Sequence, residues 1–374
     1  MSLTVILFYI KLGLIYALSG LQILSGVIFC PQNNDSKYFD DWSADDTFSI
    51  ADNTFIIEKD PNKDFVILNL SDIQLSDEDA HGFFGELDEA LIDKLITDTQ
   101  PDLITLSGDN VYGWLGWIWL IDLLDSYEIP WAPVFGNHDG ATATYASWCA
   151  FQIEKYSEYA IWDFGPKDMG HGNYIITITE NGKPIHQLYM MDTHKDATYE
   201  IDGYTYNGYD HLWDNQIEWY KWAVNGTTAE LGSVLDSTVI YHIPNVEYYN
   251  AWRESYNHWE QVFWPEYEGA FGYNMEGVSS APVNNGFFDV VKELGSTKHI
   301  ICGHNHRNYS SIPYEGVWLH YAVKTGVGSY YEKDIQGGKV FTLASDGSLT
   351  AENVFVDIDQ FGIDYTIPYP GYSE

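Results

Sequence analysis

A continuous apolar run bounded by charge, Asp64 to Leu70 (DFVILNL), reads as a strand buried on both faces. The chain after it places Phe84, Leu87, Leu91 and Leu95 at helical spacing. Pro101 then closes the connection before a second apolar run, Ile104 to Tyr112 (ITLSGDNVY). Strand, helix and strand in that order predict a right-handed crossover with parallel strands, so Asp72 and Asp109 emerge at one sheet edge. Open α/β sheets keep their sites at that edge. Gly108 lets the chain turn where the Asp109 carboxylate emerges.

The period recurs along the chain. An apolar helix over Trp114 to Leu124 precedes IPWAPVFGNHDG, a short strand ending at Gly136-Asn137-His138-Asp139. Residues 173 to 191 predict a hairpin turning at Asn181-Gly182. A Tyr- and Asp-rich loop leads to a helix near Asn215 to Val224, with Trp219 and Trp222 as core packing. STVIYHIP presents His242, and residues 245 to 285 read as a long irregular insertion facing the substrate. After the helix GFFDVVKEL, the strand KHIICGHNH ends in His304 and His306, and the remainder predicts antiparallel strands of a second sheet. With no composition break after residue 53, one domain over 53–374 is expected.

These strand ends carry carboxylate, amide oxygen and imidazole, the ligand set suited to Fe, Mn and Zn. Charge points the same way. Against 55 acidic residues stand 17 basic ones, a formal charge of -38. That excludes counterion release from a nucleic acid and attraction to an anionic bilayer. A phosphate-bearing substrate, if there is one, would then need cations to attract it, and bound metal ions are the natural source. The cysteines Cys30, Cys149 and Cys302 are too far apart for a disulfide framework or a thiolate metal cluster.

Residues 3 to 29 are almost wholly apolar and predict a secretory signal or an uncleaved anchor, within a segment taken as 1–30. Any membrane contact is expected through that segment alone. Residues 31–52 read as an acidic linker, and sequons at Asn34, Asn69, Asn225 and Asn308 suit the secretory route, although Asn69 falls in a core strand. A secreted, vesicular or membrane-anchored protein is expected.

In order and spacing the motifs Asp72-Ile73-Gln74, Gly108-Asp109, Gly136-Asn137-His138-Asp139, His242 and Gly303-His304-Asn305-His306 resemble those of the calcineurin-like metallophosphoesterases. IPWAPVFGNHD, HIPNVEY, NNGFFDVVKELGSTKHIICGHNH and WLHYAVKTGVGSY are similar to the purple acid phosphatase-like branch. The resemblance implies a four-layer α/β/β/α sandwich of two mixed sheets and hydrolysis of phosphate esters by a water that two metal ions activate. It implies that Asp109 bridges both ions, with Asp72 and His306 on one and Asn137, His242 and His304 on the other. It implies too that His138 protonates the leaving group or stabilises the phosphoryl oxygens, with Asp139 orienting its ring. The substrate would be a phosphorylated small molecule or phosphoprotein, most simply a monoester. A phosphodiesterase or nucleotidase, or a non-catalytic surface protein, are the alternatives. Gln74 departs from the pattern, standing where the family has His. It would be a weaker ligand at the first ion, and Tyr112, three residues past Asp109, is the candidate to replace the missing imidazole.

Overall fold

The structure, a computed structural model, describes residues 17–29, 36–75, 83–140 and 145–363. In chain order its first elements are helix α1 (17–29), α2 (Ile50–Asn53), β1 (Phe55–Lys59), β2 (Phe65–Leu70), α3 (Phe83–Thr99), β3 (Leu103–Ser107), α4 (Trp114–Asp125), β4 (Trp131–Val134) and α5 (Ala146–Tyr156). Next come β5 (Tyr174–Glu180), β6 (Lys183–Met190), β7 (Asp196–Ile201), β8 (Tyr204–Tyr209), α6 (Asp214–Leu231), β9 (Ser237–Ile240), α7 (Glu247–Ser255), β10 (Tyr256–Asn257) and β11 (Val262–Phe263). Last are α8 (Phe287–Leu294), β12 (Thr297–Cys302), β13 (Ser311–Tyr314), β14 (Val317–Tyr321), β15 (Gly337–Leu343) and β16 (Leu349–Phe355).

Two mixed sheets form the centre. One runs β16-β15-β2-β3-β4, with β2, β3 and β4 parallel as the crossover unit requires. The other runs β1-β5-β6-β9-β12-β14-β13, with β6, β9, β12 and β14 parallel. Side chains alternate across a strand, and the second sheet uses both faces. Ile176, Ile178, Leu188, Met190, Ile240 and Ile301 join one core with Ile67, Leu68 and Ile104 of the first sheet. Ile175, Tyr189, Val239, Tyr241 and Ile300 join a second core with residues of α6, α7 and α8. On the outer side of the first sheet, α3 buries Leu87, Leu91 and Leu95, spaced four apart, each worth about 1.5–3 kcal/mol. The expected four layers are thus present.

Several sequence expectations change here. Residues 36–52 are not a free linker, since Phe39, Phe48 and Ile50 are buried and Trp42 meets Trp222 edge-on at 5.9 Å. The loop before α6 contains the β7–β8 hairpin, turning at Asp202-Gly203 with positive φ at both. Within 245–285 the chain forms α7 and the β10–β11 ribbon. Of the sequons, Asn69 and Asn308 are buried and Asn225 is exposed, while Asn34 and Cys30 lie outside the described residues. Residues 1–16 of the expected signal or anchor also lie outside them; 17–29 form α1, which docks on α5 through Gln22 Nε2 to Gln152 Oε1 (3.0 Å) and Trp148 Nε1 to the Ile23 carbonyl (3.3 Å). Among the described residues no helix is long and apolar enough to cross a membrane.

His171, His186, His299 and His320 are buried, and burial depresses them to about 4, about 3, about 4 and well below 6.5 respectively. The unfolded chain protonates each near the ordinary value while the fold does not, so stability falls as pH drops below about 6.5. Each costs at most about 1.4 kcal/mol per pH unit. Burial raises Asp163 to about 6 and Asp139 to about 8, and these carboxyls offset part of that slope. At pH 5.5 these six groups together should take up roughly two protons on unfolding, and the melting temperature should fall between pH 6.5 and 5. A melting temperature that stays level or rises would contradict the burial of these imidazoles.

Candidate metal centre

The strand ends meet at one edge in strained backbone. Asp72, Gln74, Asp109 and His304 hold φ of 50°, 53°, 53° and 74°, the left-handed region that non-glycine residues rarely adopt. Interlocked loops hold them there. The Asp72 N–H donates to the Gly108 carbonyl (3.0 Å), the Gln74 N–H to the Asp109 carbonyl (3.0 Å), and the Thr325 N–H to the Ser71 carbonyl (2.8 Å). Gly108, at φ 94°, lets the His242 ring come within 2.6 Å of where a Cβ would stand. At Gly136 a Cβ would lie 2.3 Å from the Asp109 amide nitrogen.

Two overlapping sets of ligand atoms result. Asp109, His242 and His304 form one and Asp72, Asp109 and His306 the other, each with its atoms within 4.8 Å of one another. Asp109 is common to both. The His242 Nδ1–H is aimed at the Ser107 carbonyl (2.8 Å), which turns Nε2 toward Asp109 Oδ2 (3.3 Å). The Tyr330 carbonyl holds His306 Nδ1 in the same way (2.9 Å), turning Nε2 toward Asp72 Oδ1 (3.5 Å). Asp72 Oδ2 accepts from Ser71 Oγ (2.6 Å) and the His304 N–H (3.1 Å). Asp72 Oδ1, Asn137 Oδ1 and His304 Nε2 are buried without hydrogen-bond partners. Asp72 and His304 belong to these sets, and Asn137 directly precedes His138, whose N–H donates to Asp109; orphaned acceptors of these types fit a metal pair, because each would otherwise carry the full cost of lost hydration.

The titrations describe the same demand for positive charge. Burial opposes ionisation of Asp109, yet His242 holds it well below the usual carboxylate range, and Asp72 falls to about 2 despite burial, through His306. Burial opposes charge on His242 as well, but Asp109 and Asp72 lift it to about 9. His304 goes down to about 3 by burial and by the neighbouring His242, the neutral form a metal ligand needs.

His138 stands beside these groups with its side chain 39% exposed, its N–H donating to Asp109 Oδ1 (2.8 Å) and its Nε2 3.9 Å from Asp109 Oδ2. Burial lowers its pKa, with Asp109 opposing. Asp139 is buried. Its carboxylate accepts from the Gly136, Asn110 and Val111 N–H groups and from Asn110 Nδ2, so it ties the loops after β3 and β4 together. Tyr112 meets the His138 ring edge-on at 4.8 Å. Gln74 departs from the ligand expectation: its Nε2 donates to Asp109 Oδ2 (3.0 Å) and its Oε1 accepts from Lys324 Nζ (3.1 Å). Lys324 joins the site without a motif of its own. Its only signal in the sequence is a lysine inside the apolar stretch YAVKTG of a chain poor in basic residues. A cleft of about 450 Å³ opens beside Asn137, lined by His171, His194, Asp210 and Trp213 among others. A larger one, about 510 Å³, lies between residues 40–55 and Trp219 and Trp222 and touches none of the ligand residues.

The calcineurin-like phosphoesterase family model matches residues 65–308. Phosphatase DCR2 of Saccharomyces cerevisiae is 29% identical over 59% of this chain and 38% of its own. A probable inactive purple acid phosphatase 14 of Arabidopsis thaliana is 26% identical over 64% of this chain and 62% of its own. This chain therefore spans less than two thirds of either relative. A dimetal phosphatase from Danio rerio superposes with a TM-score of 0.43 at 10% identity, over 77% of this chain and 98% of that one, a likeness too loose to carry an argument.

Proposed function

We propose that this chain, which belongs to the calcineurin-like phosphoesterase family, hydrolyses phosphate monoesters at a binuclear metal centre shared through Asp109. The observation that carries the reading is the pair of overlapping ligand sets, among whose residues Asp72 Oδ1 and His304 Nε2 are buried without hydrogen-bond partners. Asp72, Asp109 and His306 would hold one ion, and Asp109, Asn137, His242 and His304 the other, as Fe, Mn or Zn. Such a pair, when bound, supplies Lewis acidity toward water and toward the phosphoryl oxygens.

The chain's own groups do the rest. The Ser107 and Tyr330 carbonyls fix the tautomers of His242 and His306, so that both present Nε2 inward. His138, half-open to solvent, would give a proton from its imidazole to the leaving oxygen. Asp139 serves that step by bracing the loop, and Tyr112 by walling one side of the ring. No part as a ligand is assigned to Tyr112. Arg307 is ion-paired with Glu332, so substrate charge would fall to the metal pair. We read the apolar amino-terminal segment as a secretory signal or anchor.

With Mn²⁺ present, p-nitrophenyl phosphate should be cleaved faster than its bis ester, and chelation should stop the reaction reversibly. Faster cleavage of the bis ester would make this a phosphodiesterase. No turnover with both ions bound would instead favour a non-catalytic protein, a reading that the engaged Gln74 keeps in play.

A further inference from the structure

Gln74 occupies the place where a further ligand would serve the ion held by Asp72, Asp109 and His306, and its amide is already engaged at both ends. Asp109 Oδ2 is a carboxylate oxygen and can only accept, so the Gln74 NH₂ must face it at 3.0 Å. The amide oxygen is thereby turned away from the ligand cluster and onto Lys324 Nζ, at 3.1 Å. Lys324 is itself fixed. It is 2% exposed and donates a second hydrogen bond to the Asp72 carbonyl at 2.6 Å, while Ser71 pairs with it through the backbone. An ion at this position must compete with the amide for a lone pair of Asp109, and it gains no oxygen from Gln74. The other position shares Asp109, whose Oδ2 also faces His242 Nε2 at 3.3 Å and whose Oδ1 accepts the His138 N–H, but it has no ligand-type side chain turned away as Gln74 is. Asp72 Oδ1 at the first position and Asn137 Oδ1 and His304 Nε2 at the second are alike without partners, and Ser107 has already turned His242, so the difference lies in Gln74, whose oxygen Lys324 holds.

We propose that the Lys324–Gln74 pair makes the two metal positions unequal, so that the Asp72–Asp109–His306 position fills only at metal concentrations well above those that fill its neighbour. The pair is a positioning device, acting through Asp109 and touching no substrate. Activity then depends on metal supply: one ion stays resident and the second comes and goes. This rests on the binuclear reading above, and its test reads metal binding rather than turnover.

The experiment is equilibrium dialysis of the metal-free full chain against Mn²⁺, with bound metal measured by elemental analysis. Two separate steps are expected, their midpoints at least about tenfold apart, the scale on which groups behind the ligands tune affinity. Lys324→Met frees the Gln74 oxygen and should draw the weaker step about tenfold or more toward the tighter one. Lys324→Arg, which keeps a donor and a charge, should leave the gap open. The tight step serves as the folding control. If Lys324→Met loses it, Gln74→His decides, since it removes the amide donor and adds an imidazole and should close the gap. Two equivalents bound in one step, or a gap unmoved by the deciding variant, would overturn the inequality and leave the binuclear reading standing. Failure to bind any Mn²⁺ would remove the binuclear reading, and this inference with it.

Discussion

Asp109→Asn should abolish phosphate ester hydrolysis and deplete metal at both positions, because one carboxylate belongs to both ligand sets. The substitution is nearly isosteric. An amide oxygen can still accept the His138 N–H that Asp109 Oδ1 now accepts at 2.8 Å, so the loops should keep their arrangement. What disappears is the charge. A neutral amide cannot offer two anionic oxygens to two cations, and it leaves the lifted titration of His242 without its chief support. Turnover should fall to the uncatalysed background while the thermal unfolding of the metal-free protein stays close to that of the parent. Two metals per chain retained by Asp109→Asn would contradict the sharing.

His138→Ala should behave differently. Turnover should drop by roughly 10² to 10⁴, the usual scale for a lost acid–base group, with metal content unchanged. The geometry separates the two outcomes. Residue 138 reaches Asp109 through its backbone N–H, a contact alanine keeps, and its side chain is 39% exposed, so truncation opens no buried void. Metal lost together with activity would make His138 a ligand, and turnover within a few-fold of the parent would remove it from the proton transfer.

Much of this was legible in the sequence because strands and their ends obey short-range rules. DFVILNL and ITLSGDNVY became β2 and β3, paired in parallel, and Asn181-Gly182 turned the β5–β6 hairpin. Asp72, Asp109, His242, His304 and His306 came together because each follows a strand of one of the two sheets. The β7–β8 hairpin has only Asp202-Gly203 to mark it in the sequence, since its largely exposed strands lack an apolar run to announce them. Residues 36–52 look like a linker by charge, yet Phe39 and Phe48 bury themselves among aromatic rings. The partnership of Gln74 with Lys324 spans 250 positions and has no local signature. Nor does any pattern indicate that Asp139 faces backbone N–H groups, because that depends on how two loops meet.

If two metal ions share Asp109, anomalous diffraction at the manganese edge, from crystals equilibrated with millimolar Mn²⁺, should locate both. Two peaks about 3.5–4 Å apart are expected, one against Asp72 and His306, the other against Asn137, His242 and His304, with an Asp109 oxygen within bonding distance of both. A single peak that persists at saturating Mn²⁺, or two peaks of which only one touches Asp109, would contradict that sharing.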